Sequence, residues 1–173
     1  MRSMLSALWA RNLIGSVVAA AALAVLVFTG LGGLEESWAG YRRTVVPGAV
    51  VPAGQSGDAD GHTWKIDAIR HLNRSPRDFG PPLPSGAVLT VVTVDRSGPP
   101  PADRICNGVI TDGQRRWQSE RIGMFSAPER DGVTSLCNQP GLLQFSFLLP
   151  RDVVPTAVDI VQFDGRITVR LML

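Results

Sequence analysis

Two cysteines, two histidines and several arginines are the residues of this 173-residue chain whose chemistry could be put to use. The stretch RICNGVITDGQRRW (104–117) joins Cys106, an Asp-Gly pair, Arg115, Arg116 and Trp117, a mixture that a small reactive site would use. Cys106 and Cys137 are the only cysteines and stand 31 positions apart. They lack the C-x-x-C spacing of a redox pair, and neither has a histidine near it in sequence. A disulfide is therefore their expected use if the segment lies in an oxidising compartment. His62 and His71, with Asp58 and Asp60 in DADGH, raise a metal or general-base reading. They lie an odd number of positions apart, so on a regular strand they face opposite ways, which argues against shared ligation. DADG resembles the opening of a calcium loop but lacks the later acidic ligands. A solvated turn is expected there, with no metal site.

Nucleophile motifs (G-x-S-x-G, S-x-x-K) and phosphate-cradling glycine loops are missing, so no catalytic residue and no cofactor are assigned. Arg115, Arg116 and Arg121 read as a charged solvent face, with recognition of an anionic envelope component as the functional alternative. A better contact surface is NRSPRDFGPPLPSG (73–86), too rich in proline for a helix or a central strand and centred on Phe79. Long irregular loops on a rigid scaffold often carry binding. The net charge of +2 is spread evenly without runs of one sign, which excludes a nucleic-acid footprint.

These residues must be positioned by the elements around them, and the first is apolar. NLIGSVVAAAALAVLVFTGLGGL (12–34) carries no charge and exceeds the roughly 20 residues needed to cross a hydrocarbon core as a helix. A cleaved signal peptide competes with a retained anchor. The run is longer than a signal's apolar region of about 7–15 residues, and its nearest small-x-small site, SWA, places Trp38 in the middle. An uncleaved signal anchor is expected, with the remainder exported on either reading. Arg2 and Arg11 before the span and Glu35 and Glu36 after it put the N-terminus in the cytoplasm, against a weaker opposing signal from Arg42 and Arg43. Trp9 and Trp38 stand where the two interfaces would be. The expected order is a cytoplasmic N-terminus (1–11), a transmembrane helix (12–34), a Pro/Gly-rich stalk (35–60) and an extracytoplasmic domain (61–173).

Beyond the span the pattern changes to period two. HTWKIDA places Trp64, Ile66 and Ala68 on one face, and AVLTVVTVD is β-branched on both faces, as a strand covered on two sides would be. LLQFSFLLP sets Leu143, Phe145, Phe147 and Leu149 against Gln144 and Ser146. AVDIVQF and RITVRLML flank Asp164-Gly165, with Ile167, Val169, Leu171 and Leu173 toward the core and Arg166 and Arg170 toward water. If Asp112-Gly113 is likewise a two-residue turn, Gly108 pairs with Trp117 and makes room for its ring. About seven short strands predict an all-β, antiparallel, immunoglobulin-like β-sandwich, with a closed barrel as the rival.

The membrane segment, the GHTWKI strand, PSGAVLTVVTV, CNGVITDGQRRW, a second cysteine and FSFLLP together resemble the membrane-anchored immunoglobulin-like domains of unknown function in actinobacterial, mycobacterium-like envelope proteins. The resemblance covers roughly Thr44 to Leu173 and implies an exported domain used for binding or assembly, with no site residues to carry over. The expected function is a non-catalytic interaction module, not an enzyme, such as an accessory subunit of a membrane complex. It would contact the lipid bilayer through its helix and a membrane or envelope protein through its sandwich. The alternative is an extracytoplasmic domain that binds a small molecule, a lipid or an ion.

Overall fold

The structure, a computed structural model, describes residues 2–98, 105–121 and 123–173, with the side chains of 2–14 and 31–33 left aside. Trp9, Arg2 and Arg11, invoked above for depth and orientation, and the Pro-rich break beyond Gly98 lie outside what is described. The chain forms two compact units, 1–42 and 43–173. The first is made by helix α1, Arg2–Val45. The stretch Gly15–Val45 is long and apolar enough to cross a membrane, and its described side chains other than Thr44 are exposed. Val46, placed before Pro47, is where a helix must yield, because the proline ring disfavours α geometry in the residue ahead of it.

The second unit packs two five-stranded sheets face to face, a sandwich-like arrangement. One holds β1 (Val50–Val51), β10 (Ile167–Met172), β9 (Ala157–Gln162), β5 (Cys106–Thr111) and β6 (Arg116–Gln118), in that order. The other holds β2 (Ser56–Ala59), β3 (His62–Leu72), β4 (Ala87–Arg96), β8 (Leu142–Pro150) and β7 (Val133–Thr134). Strands β1 and β2 fall within the expected stalk (35–60) and belong to the sheets. The sheets are also mixed rather than antiparallel throughout: β1 runs parallel to β10, and β7 runs parallel to β8. A parallel neighbour needs a connection that doubles back. The segment from Ser135 to Gly141 supplies it, carrying Cys137 away from the sheet before β8 begins.

Between the sheets lie Trp64, Val92, Val94, Ile110, Phe145, Phe147, Val158, Ile160, Val169 and Leu171. The alternation of β8 is as read, with Leu143, Phe145, Phe147 and Leu149 buried together. Its opposite face is covered as well. Gln144 Nε2 donates to Ala127 O at 3.0 Å and Ser146 Oγ accepts from Ala127 N at 3.0 Å, which lays the segment after β6 across the outside of this sheet. A second small core forms there from Leu89, Val91 and Ala127, with Leu72, Leu83 and Phe125 against it. That covering explains the two-faced apolar character of β4.

Three local readings are corrected. A bulge at Asp67 lets Ile66 pair with Val94 but Ala68 with Thr93, so Trp64 and Ile66 face inward whereas Ala68, Arg70 and Leu72 face outward. His71 consequently returns to the face of Trp64 and His62, and what separates the two histidines is about 30 Å of strand at 3.3 Å per residue. Next, the Asp112-Gly113 connection spans four residues: Asp112 N donates to Arg115 O, and Ile110 pairs with Trp117. Asp112 Oδ1 accepts the amides of Gln114 and Arg115, an Asx turn that widens the loop, and only Gly113 takes a positive φ. The register therefore slips by two, which leaves every side chain on its predicted face. Gly108 is small for another reason: a Cβ there would stand 2.6 Å from the Phe145 ring of the opposite sheet. At Asp164-Gly165 the loop has three residues, Gln162 N donating to Arg166 O, and an irregularity after it makes Ile167 pair with Val161 but Val169 with Ile160, so Ile167 leaves the face predicted for it; Asp60-Gly61 forms the true two-residue turn, both residues at positive φ. Finally, Arg170 does not face open water but binds a buried acid described below.

Candidate functional site

Cys106 and Cys137 are joined, with Cα atoms 5.7 Å apart, a separation suited to a disulfide. Both are buried. Arginines hold the backbone on either side of the bridge. Arg121 donates to Cys106 O and to Asn107 Oδ1, and Arg96 Nη1 donates to Cys137 O at 2.6 Å while its Nη2 reaches Gln139 O at 3.2 Å. Arg96 is buried, and its guanidinium lies 6.0 Å from the centre of the Trp64 ring. Burial lowers its pKa from the ordinary arginine value. The pair fastens the start of β5 to the connection before β8, so both thiols are consumed in scaffold.

The arginines singled out from sequence are likewise engaged within the fold. Arg115 Nε meets Asp112 Oδ2 at 3.0 Å, and its guanidinium sits 5.3 Å from the Trp117 ring centre. The backbone amides of Arg115 and Gln114, donating to the carboxylate, hold the Asp112 pKa below its usual value. Arg116 Nη2 lies 3.1 Å from Asp159 Oδ2. Arg170 closes on the same carboxylate through Nε at 2.6 Å and Nη2 at 2.8 Å. The Asp159 side chain is 0% exposed, and the hydrogen bond to it raises the Arg170 pKa. Sequence reading passed over Asp159, although an acid inside the apolar run AVDIVQF was a visible signal.

Phe79 stands apart from these arginines, on the loop between β3 and β4, with its side chain fully exposed. The loop is braced beneath it. Leu83 packs in the outer core, Gly80 N donates to Arg77 O at 3.0 Å, and Ser75 Oγ accepts from Arg77 N at 3.4 Å. A Cβ at position 80 would meet Ser75 Oγ, so a larger residue there requires the serine hydroxyl to turn away. Between the loop and the Ala127–Arg130 stretch opens a cavity of 440 Å³. Arg70, Arg74, Arg77 and Arg130 line it, with Asp78 as its one acid and Leu72, Ala127 and Pro128 as apolar wall. This convergence escaped sequence reading because Arg70 reaches the outer face only through the Asp67 bulge, and Arg130 arrives from a distant segment. The one local signal was the close spacing of Arg70, Arg74 and Arg77.

The histidines take local partners: His62 Nδ1 lies 2.8 Å from Ser97 O and His71 Nδ1 lies 3.0 Å from Thr90 Oγ1. Among the described residues no three metal-ligating side chains cluster. In comparisons with known proteins, no family model, no curated protein and no solved structure matches this chain.

Proposed function

We propose that the chain is a single-pass envelope protein whose exported sandwich is a non-catalytic interaction module, with the Phe79 loop as its contact surface. The observation that carries this reading is a fully exposed phenylalanine on a proline-rich loop that is fastened to the sheet by Leu83 in the outer core. A large apolar side chain with only two χ angles, offered to solvent, presents contact area at little cost in side-chain entropy. Export is supported by the apolar helix in front of a domain closed by a disulfide, a bond that persists in oxidising compartments. The strand order supports the immunoglobulin-like assignment: β4 neighbours β8 in one sheet, and β9 lies between β10 and β5 in the other, as strands B–E and C–F–G do in that fold. The actinobacterial resemblance points the same way, toward assembly in the envelope.

The test is purification at native expression in mild detergent, comparing the unaltered chain with Phe79→Asp. A membrane or envelope protein recovered in stoichiometric amount with the first and lost with the second supports the module. Recovery of the chain alone counts against it.

A further inference from the structure

We propose that the cavity lined by Arg70, Arg74, Arg77 and Arg130 binds a phosphate-class anion, as free phosphate or as the phosphate of a lipid headgroup. This goes beyond the interaction reading, since it concerns the ligand chemistry of the cavity and holds with or without a protein partner.

Five arginines elsewhere in the sandwich supply the contrast. Arg96, Arg115, Arg116, Arg121 and Arg170 each meet a carboxylate or a carbonyl within the fold. Arg74, Arg77 and Arg130 direct their guanidinium groups to no described residue, and Arg70 reaches only Gln144 Oε1, at 3.4 Å. The four guanidinium-bearing side chains line one cavity of 440 Å³, so a single anion placed in it would meet several of them at once. Asp78 offsets one of four. Folding thus gathers four arginines and one acid around one cavity.

Guanidinium suits the proposed ligand. Its planar fork donates two parallel hydrogen bonds to phosphate oxygens and stays charged at any accessible pH. The apolar wall formed by Leu72, Ala127 and Pro128 strengthens such contacts by excluding water from one side. The volume lies within the range of about 300–1,000 Å³ typical of small-molecule sites and exceeds what a bare phosphate fills. Phe79, next in sequence to the cavity residue Asp78, offers an apolar surface for the body of an amphiphile.

The test uses the full chain in neutral detergent at constant ionic strength, titrated by calorimetry with inorganic phosphate and, separately, with dioctanoyl phosphatidylglycerol or dioctanoyl phosphatidylcholine. The expected result is saturable one-site binding of phosphate, of phosphatidylglycerol, or of both, weakened at least tenfold in Arg74→Gln/Arg77→Gln/Arg130→Gln. Phosphate alone identifies a free anion as ligand, and phosphatidylglycerol alone identifies a headgroup. The three side chains are exposed, so the unfolding midpoint of the triple variant stays at the parental value; should that variant misfold, Arg77→Glu replaces it. No saturable binding of phosphate or phosphatidylglycerol, phosphatidylcholine bound as tightly as phosphatidylglycerol, or binding by a folded variant within twofold of the parent, overturns the proposal.

Discussion

Removing one partner from the Asp159 cluster tests whether buried charge organises the outer face of the β9–β10 sheet. Asp159 is sealed from solvent, while the side chains of Arg170 and Arg116 are 29% and 41% exposed. Breaking a buried ion pair costs about 3–5 kcal/mol when the survivor stays buried without a partner. Arg170→Met leaves such a survivor, since Asp159 keeps only the half-exposed Arg116, and should cost about 3 kcal/mol. Asp159→Asn leaves two arginines that can turn toward water and should cost less, about 1–2 kcal/mol after discounting for solvent screening. At roughly 4 °C per kcal/mol for a unit of this size, the expected losses in unfolding midpoint are about 12 °C and about 4–8 °C. The assay is thermal unfolding followed by near-ultraviolet circular dichroism on the full chain in detergent. Losses below about 2 °C for both variants, or a larger loss for Asp159→Asn than for Arg170→Met, would refute the assignment of desolvation to the acid.

Gly108→Ala should destabilise the sandwich by about 1–3 kcal/mol through overpacking against Phe145, and Phe145→Leu in the same chain should recover part of the loss in a urea titration. Reducing the Cys106–Cys137 bridge should cost about 3.7 kcal/mol in the chain-entropy treatment of the loop it closes, read as a lower urea midpoint; two alkylatable thiols in the folded, unreduced chain would remove the basis of this prediction. The lowered pKa of Asp112 means its carboxylate stabilises the folded state above the unfolded pKa and ceases to do so as pH falls through the folded value. Asp112→Asn should therefore be less stable than the parent near neutral pH and converge on it in acid, and a gap that does not narrow as pH falls would contradict this.

Local periodicity made much of the sandwich legible. The β8 alternation and the two-sided β4 run each report burial through the strand repeat alone, and the apolar helix reports itself by length. Features that depend on a single inserted residue were not legible. Nothing in HTWKIDAIRHL marks Asp67 as a bulge, yet that residue decides which way Arg70 and His71 point. The Asp-Gly pairs show the same limit: the dipeptide signals a turn, but whether the aspartate adopts positive φ or caps the next amides depends on the strands it joins. At Asp112-Gly113 the face assignments survived because a slip of two preserves side-chain direction, whereas after Asp164-Gly165 an irregularity between Ile167 and Val169 takes Ile167 out of the register of Val169. The arginine cavity stayed hidden because its walls come from segments far apart in sequence, brought together by Gln144 and Ser146.

The central claim is an exported sandwich anchored by an uncleaved helix, and alkaline phosphatase fused after Leu173 measures it most directly. The account predicts an active fusion of full-length mass in washed membranes. An inactive fusion would place the sandwich in the cytoplasm, and an active but soluble product lacking the N-terminal segment would show the helix to be a cleaved signal; either result contradicts the account.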